Sequence, residues 1–260
     1  IPQSEEARAE AEVLMHVQNN IITPKNGLNI IAGIQDSITG NYLLTKNMEF
    51  DREEAVELLL SIGCEEIDSL PKTKKVNGKQ VFSCLLPKDF DFLGYSLSHK
   101  KGDKDSVVRV QKGELISGVI DRATIGKEAG DLLRSLYIQY GPELTLGILS
   151  NISKLGIKIV TNYGFTTGLL DTDVSNEIFS EINKMMEDAL KKVDVLIKEF
   201  TDGKLEAYPS KTLKETLELK ISEVLNRARN KIGDLVIENS DENNPSIVMA
   251  VSGGRGNTLN

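Results

Sequence analysis

Apolar positions in the last third of the chain keep a helical period. Ile178, Ile182, Met185, Ala189, Val193, Leu196 and Phe200 step by three or four residues, which lays one apolar stripe along one face of a long helix. Glu181, Lys184, Glu187, Asp188, Lys191 and Lys198 fall on the opposite, solvated face. After TDGKLEAYPSK the rhythm restarts at Leu213, Leu217, Ile221, Val224, Ala228, Ile232 and Leu235. Two stripes of similar length, joined by a loop carrying Asp-Gly and Pro, predict an antiparallel helical hairpin with arms of roughly 35 Å at 1.5 Å per residue. The stripes run over few heptads, so the pair is read as packed helices and not as a free coiled coil.

The first two thirds change period several times. Ser4, followed by Glu5, Glu6 and Ala7, predicts an N-cap and a helix reaching Met15. IITPKNG (21–27) is a break. Ile30, Ile31, Ile34, Ile38, Tyr42 and Leu43 have a mostly helical rhythm, and Asp51 caps REEAVELLLSIG, which Gly63 stops. KQVFSCLLP (79–87), VVRV (107–110) and GELISGVI (113–120) read as short strands, the last two joined as a hairpin through Gln-Lys-Gly. The lysine-rich stretches PKTKKVNGK (71–79) and SHKKGDKDS (98–106) read as solvated loops. Helical spacing returns over 126–141, and Pro142 opens a new helix. Residues 143–160 mix helical and extended character, and 161–177 read as a connector with a short strand. The fold class is therefore α+β in several modules, a mixed α/β module followed by the long-helix hairpin.

Charge narrows the chemistry. The net charge is −8 over 260 residues. A chain this acidic does not bind nucleic acid over its whole surface, because phosphate contacts need clustered Lys and Arg. Cys64 and Cys84 form no C-x-x-C, so a zinc knuckle or redox motif is not indicated; a single disulfide between them stays open. No signal peptide or bilayer-spanning run stands out, so the expected compartment is the cytoplasm, with no membrane partner. His16 and His99 have no Cys, Asp or Glu at metal-ligand spacing. DTD (171–173) could hold a cation in principle but reads better as helix capping, and ENSDENNPS (238–246) lacks the glycine and glutamate spacing of a calcium loop. SGGRGN (252–257) could admit a phosphate close to the backbone, with Arg255 as its counter-charge; the simpler reading is a flexible turn.

Six stretches carry a resemblance. IPQSEEARAEAEVLM, NNIITPKNG, GIQDSITGNYLLT, GELISGVI, VLNRARNKIGD and MAVSGGRGNTLN, in that order, resemble the largest subunit of multi-subunit RNA polymerases, the archaeal form above all. The resemblance covers essentially the whole chain. It implies three regions: 1–17 as the tail of the active-site module, 18–165 as an α+β pore module, and 166–260 as a funnel module comprising the hairpin and the glycine-rich loop. In the family, the stretch like Ile1-Pro2-Gln3-Ser4 follows Asn-Ala-Asp-Phe-Asp-Gly-Asp, whose aspartates hold the catalytic Mg²⁺. The stretch like Asn257-Thr258-Leu259-Asn260 runs on into the bridge helix and trigger loop. Both ends are therefore expected to be cut from a longer polypeptide. No catalytic residue, metal ligand or cofactor is expected in this stretch, Mg²⁺ belonging to residues outside it, and the chain alone is expected to be inactive.

The resemblance also implies roles. The pore and funnel line a secondary channel that admits nucleoside triphosphates, receives the backtracked RNA end and docks a transcript-cleavage factor. Arg255 occupies a family position facing incoming triphosphates. Asn226 and Arg229 fall in a funnel-helix region that borders a mushroom-toxin pocket in eukaryotic relatives, and are candidates for channel lining or regulator contact; the plainer reading is packing against a neighbouring module. Implied partners are the other polymerase subunits and modules and the cleavage factor, with DNA template and RNA only in the assembled enzyme. The rival reading, from the residues alone, is a free-standing helical-hairpin adaptor without catalysis. A phosphate-binding enzyme built on SGGRGN lacks a base, a metal set and a second phosphate donor.

Overall fold

The structure is a computed structural model describing residues 1–64, 66–97 and 106–256. His99 and most of the second lysine-rich loop lie outside the described residues. The described chain divides into two compact units. One holds 1–166 with 248–256, the other 167–247. The glycine-rich segment thus packs with the first unit, whereas the sequence reading grouped it with the hairpin; its contacts with the first unit are given below.

The first unit opens with α1 (Glu5–Val13), capped as the sequence predicts by Ser4, whose hydroxyl accepts from Ala7 N at 3.1 Å. The helical rhythm from Ile30 resolves later than expected, as α2 (Asp36–Asn47). β1 (Glu49–Asp51) leads straight into α3 (Arg52–Ser61), where the Glu54 carboxylate accepts from Asp51 N. β2 (Lys75–Asn77) pairs antiparallel with β1. The run read as a strand at 79–87 is instead α4 (Gly78–Ser83). Asn77 caps it, accepting from Lys79 N, and Gln80 reaches back to Asn77 N. That capping box outweighs the β-rich composition.

β3 (Phe92–Tyr95), β4 (Val107–Gln111) and β5 (Glu114–Ser117) form an antiparallel sheet in the order β3-β4-β5. The hairpin read from the sequence is present, turning at Lys112 and Gly113, both with positive φ. α5 (Arg122–Ile125) follows, then α6 (Asp131–Tyr163). α6 breaks at Gly141, whose φ of 80° and ψ of 177° precede Pro142, so the predicted restart is there. Residues 143–160 are helical throughout, without the expected extended part. α6 is long and apolar enough to cross a membrane by length and composition, but it is the central core helix. Leu132, Leu133, Leu136, Ile152 and Leu155 are buried against Phe82, Phe90, Leu44 and Val108.

α2 and α6 cross at glycine. A Cβ built on Gly40 would fall 2.5 Å from the carbonyl carbon of Gly156 and 2.7 Å from its Cα. Asn41 locks the crossing, its amide donating to Ser37 O at 2.7 Å and to Ile152 O at 2.9 Å. Thr45 adds a tie to the end of the sheet, accepting from Ile120 N. Cys64 and Cys84 are free and buried. Burial, with Cys64 alongside, pushes the Cys84 thiol up to about 12, so Cys84 does not behave as a reactive thiolate.

The second unit is the hairpin. The connector before it holds a short 3₁₀ turn over Leu169–Thr172 and, among the described residues, no strand. Asp171 accepts from Gly168 N, the capping role expected of DTD, while the next helix is capped by Ser175. α7 (Asn176–Thr201) and α8 (Leu213–Asn239) pack against each other. Their stripes are half-buried from Ile178 to Leu196 and from Leu217 to Leu235, but Phe200 and Leu213, at the loop ends, stay exposed. α9 (Pro245–Ser252) leads on to the glycine-rich segment.

Candidate functional site

Arg255 stands at the end of a segment whose glycines have structural work. Val248 is buried with Tyr42 of α2 and Val119, which ties 248–256 to the first unit. α9 stops at Gly253, which takes φ +72° in the left-handed region, and Arg255 N closes onto Met249 O at 3.2 Å. This is a glycine C-cap, so the first glycines are not a flexible turn. Gly254 then lies against the start of α2. A Cβ there would collide with the Thr39 hydroxyl and sit 3.0 Å from the Gln35 carbonyl. Gln35 itself has φ 45° and ψ −117°, a strained conformation for a residue with a side chain. Close approach of two backbones therefore fixes the loop, and Arg255 is presented from it, exposed.

A second cation reaches the same surface. A Cβ on Gly253 would meet Arg122 Cβ at 2.7 Å and Cδ at 3.0 Å, so the arginine's aliphatic stem lies along the glycine. Arg122 is exposed and opens α5. Its position is set by Asp121, a fully buried N-cap that accepts from Ala123 N at 2.9 Å, Ser96 Oγ at 2.8 Å and Leu97 N at 2.7 Å. One carboxylate thus joins the end of β3 to the start of α5 and orients Arg122. Sequence reasoning missed Arg122. The Asp-Arg pair directly after GELISGVI was visible, but its closeness to Gly253 is a tertiary fact. Arg255 and Arg122 are thus two exposed arginines, and of the segment's glycines only Gly256 has open space where a Cβ would stand.

Asn226 and Arg229 lie in the second unit, both exposed on α8 and, among the described residues, without a hydrogen bond or ion pair. They flank the stripe that faces α7. His16 caps a 3₁₀ turn from outside, and Asn20 donates to its carbonyl; among the described residues it joins no group of three or more His, Cys, Asp or Glu that could hold a metal ion. Among the described residues, no three His, Cys, Asp or Glu side chains converge as a metal would need, so the carboxylates present do not fit a catalytic Mg²⁺ site.

Comparison with known proteins gives two family matches. Residues 20–172 match the family profile "RNA polymerase Rpb1, domain 3", and 197–260 match "RNA polymerase Rpb1, domain 4". Over 275 residues the chain is 40% identical to the DNA-directed RNA polymerase subunit Rpo1N of Methanocaldococcus jannaschii, covering all of this chain and 20% of that protein. It is 36% identical over 291 residues to Rpo1N of Thermococcus celer, covering all of this chain and 32% of the relative. With the DNA-directed RNA polymerase III subunit RPC1 of Saccharomyces cerevisiae it shares 33% identity over 285 residues, covering all of this chain and 20% of that protein. The chain therefore spans between a fifth and a third of these relatives.

Proposed function

We propose a role in transcription for this chain, which belongs to the RNA polymerase Rpb1 family: within a DNA-directed RNA polymerase it lines the secondary channel, meets nucleoside triphosphates through the Arg255 loop, and offers the α7–α8 hairpin to a transcript-cleavage factor. The observation that carries the reading is the loop, a glycine cap that packs Gly253 on the Arg122 stem and leaves Arg255 exposed, on a chain matching the family in order along its length. The match in sequence order favours this over the free-standing adaptor.

The chemistry asked of the loop is modest. A guanidinium forms charge-assisted hydrogen bonds to a triphosphate, and Gly256, with nothing within 4 Å of the place a Cβ would take, leaves room beside Arg255. Such a contact reads phosphate and not base, so all four substrates benefit alike. Two-metal nucleotidyl transfer needs clustered carboxylates, which the described residues do not assemble. The isolated chain accordingly supports no nucleotide incorporation, and the nucleotidyltransferase activity belongs to the assembled enzyme, working in the cytoplasm with its other subunits, DNA and RNA.

The test uses an archaeal polymerase whose largest subunit carries this chain in place of its own matching segment. Arg255→Ala raises KM for all four nucleoside triphosphates by about ten- to a hundredfold, as the loss of one charge-assisted bond of roughly 1.5–3 kcal/mol implies. Arg229→Glu raises the cleavage-factor concentration needed for half-maximal RNA cleavage. An unchanged KM would remove the phosphate role, and robust Mg²⁺-dependent extension by the isolated chain would remove its dependence on the assembly.

A further inference from the structure

One flank of the hairpin inverts the charge of the chain. Two adjoining depressions between α7 and α8, of about 470 and 310 Å³, share Asp188, Lys192 and Val224 and so form one groove. Its floor is apolar and low. Ala189 and Ala228 face each other across the helix pair, with Val224 and Leu196 alongside. Small side chains there leave room that larger ones would fill. Its rim carries Lys191, Lys192, Arg227 and Lys231. Two carboxylates answer them loosely: Asp188 lies 3.8 Å from Lys191, and Glu223 lies 4.0 Å from Arg227. Lys192 and Lys231 have no carboxylate partner among the described residues. The groove is therefore net positive on a chain of net charge −8.

We propose that this groove binds an acidic amphipathic peptide segment of a partner protein, with apolar side chains on the alanine floor and carboxylates on Lys192, Lys231, Lys191 and Arg227. The inference deepens the reading of the hairpin as a docking surface and rests on it. Charge complementarity selects the occupant. An apolar segment would leave unpaired cations at its edge, and a basic one would be repelled. A single-stranded nucleic acid would find phosphate partners but no aromatic platform, because no aromatic side chain lines the groove. A helical segment with apolar residues three and four apart satisfies floor and rim together.

The experiment measures fluorescence anisotropy of short labelled peptides with the full 260-residue chain. The probe is a model peptide with leucines at helical spacing and glutamates elsewhere. A second peptide replaces every glutamate by glutamine, and a third probe is an oligothymidylate. The glutamate peptide binds at least about tenfold tighter than the glutamine peptide, and added salt weakens it. The double variant Lys192→Glu with Lys231→Glu weakens it by roughly tenfold or more, with helicity by circular dichroism unchanged. Lys158→Glu, on α6 of the other unit, leaves the affinity unchanged. Absence of binding overturns the proposal. So does equal binding of the glutamine peptide, tighter binding of the oligothymidylate through the same lysines, or self-association of the chain that the double variant abolishes. The Arg229→Glu cleavage assay reads a different flank of α8, so failure here leaves regulator docking standing, and only failure of both removes it.

Discussion

The glycine crossing of α2 and α6 makes a prediction whose size follows from the geometry. In Gly40→Ala the new Cβ must fit where Gly156 Cα is 2.7 Å away, while ordinary contact begins near 3.4 Å. The obstacle is backbone, so the helices separate by about 1 Å, enough to forfeit a quarter to a half of each dispersion well across the crossing. α2 and α6 contribute Ile38, Leu44, Ile152, Leu155 and Ile159 to the core. Each is worth about 1.5–3 kcal/mol buried, so losing a quarter of that benefit costs about 2–4 kcal/mol. Stretching the Asn41–Ile152 hydrogen bond from 2.9 Å beyond bonding range adds about 1 kcal/mol, and alanine's better helix propensity returns about the same. The net is a loss of about 2–4 kcal/mol, at the upper end of the range for overpacked cores. Hydrogen exchange of α6 amides reads this unit alone, avoiding a two-state treatment of a two-unit chain. The matched control is Gly147→Ala on the same helix, where nothing lies within 4 Å of the new methyl; it stabilises by up to about 1 kcal/mol. If Gly40→Ala protects α6 as well as Gly147→Ala does, the helices are not held at backbone contact and the reasoning fails.

Three further outcomes are expected. Asp121→Ala removes the acceptor of the Leu97 and Ala123 amides and of the Ser96 hydroxyl, and lowers the urea midpoint by the equivalent of about 2–4 kcal/mol; Asp121→Asn, which keeps an acceptor, loses less. Glu215 is held below the usual carboxylate range by the Thr212 backbone amide first and the Thr212 hydroxyl second. Its folded value being depressed, its contribution is present above the ordinary glutamate range and disappears as pH falls through the folded value; an NMR titration of wild type against Thr212→Val checks the shift. Desolvation, with Asp89 accepting from its hydroxyl at 2.8 Å, pushes Tyr140 up to about 12. Its contribution is present below the ordinary tyrosine range near ~10 and is lost as pH rises through the folded value, so the phenolate absorbance of Tyr140→Phe lacks a step near about 12 that the wild type shows.

Elements specified within one turn of helix or one hairpin were legible. Ser4, Asp51 and the Lys112-Gly113 turn carry their own chemistry, and the stripe from Ile178 to Leu196 needs only the helical period. Misreadings came where two local signals compete. At 79–87, Val81 and Phe82 suggest a strand, but Asn77 and Gln80 close a capping box and the segment is helical. At 143–160, read as mixed helical and extended, β-branched Thr145, Ile148, Ile152 and Ile159 favour extension locally; packing on α2 overrides that preference. The single-stripe reading of α7 also passed over Phe179, Leu190 and Ile197, an exposed apolar row beside the buried one.

The site divides along the same line. That Arg255 sits among glycines is written in the chain, but why the glycines are needed is not. Gly253 caps α9 against Arg122, and Gly254 meets Thr39 and Gln35, contacts between residues far apart in sequence. The hairpin groove carries the same argument further. Along α7 alone, Lys191 and Lys192 are two charges on a solvated face, and along α8 Arg227 and Lys231 are two more. Only the antiparallel packing of α7 on α8 sets Lys192 and Lys231 around a shared apolar floor. Periodicity within a helix reports which face turns inward; it carries nothing about which outward flank of one helix will adjoin which flank of another. Cation clusters assembled across two helices are therefore absent from any one-dimensional reading. They become visible when the register of the pair is known, and in this chain that register turns four scattered charges into a binding face.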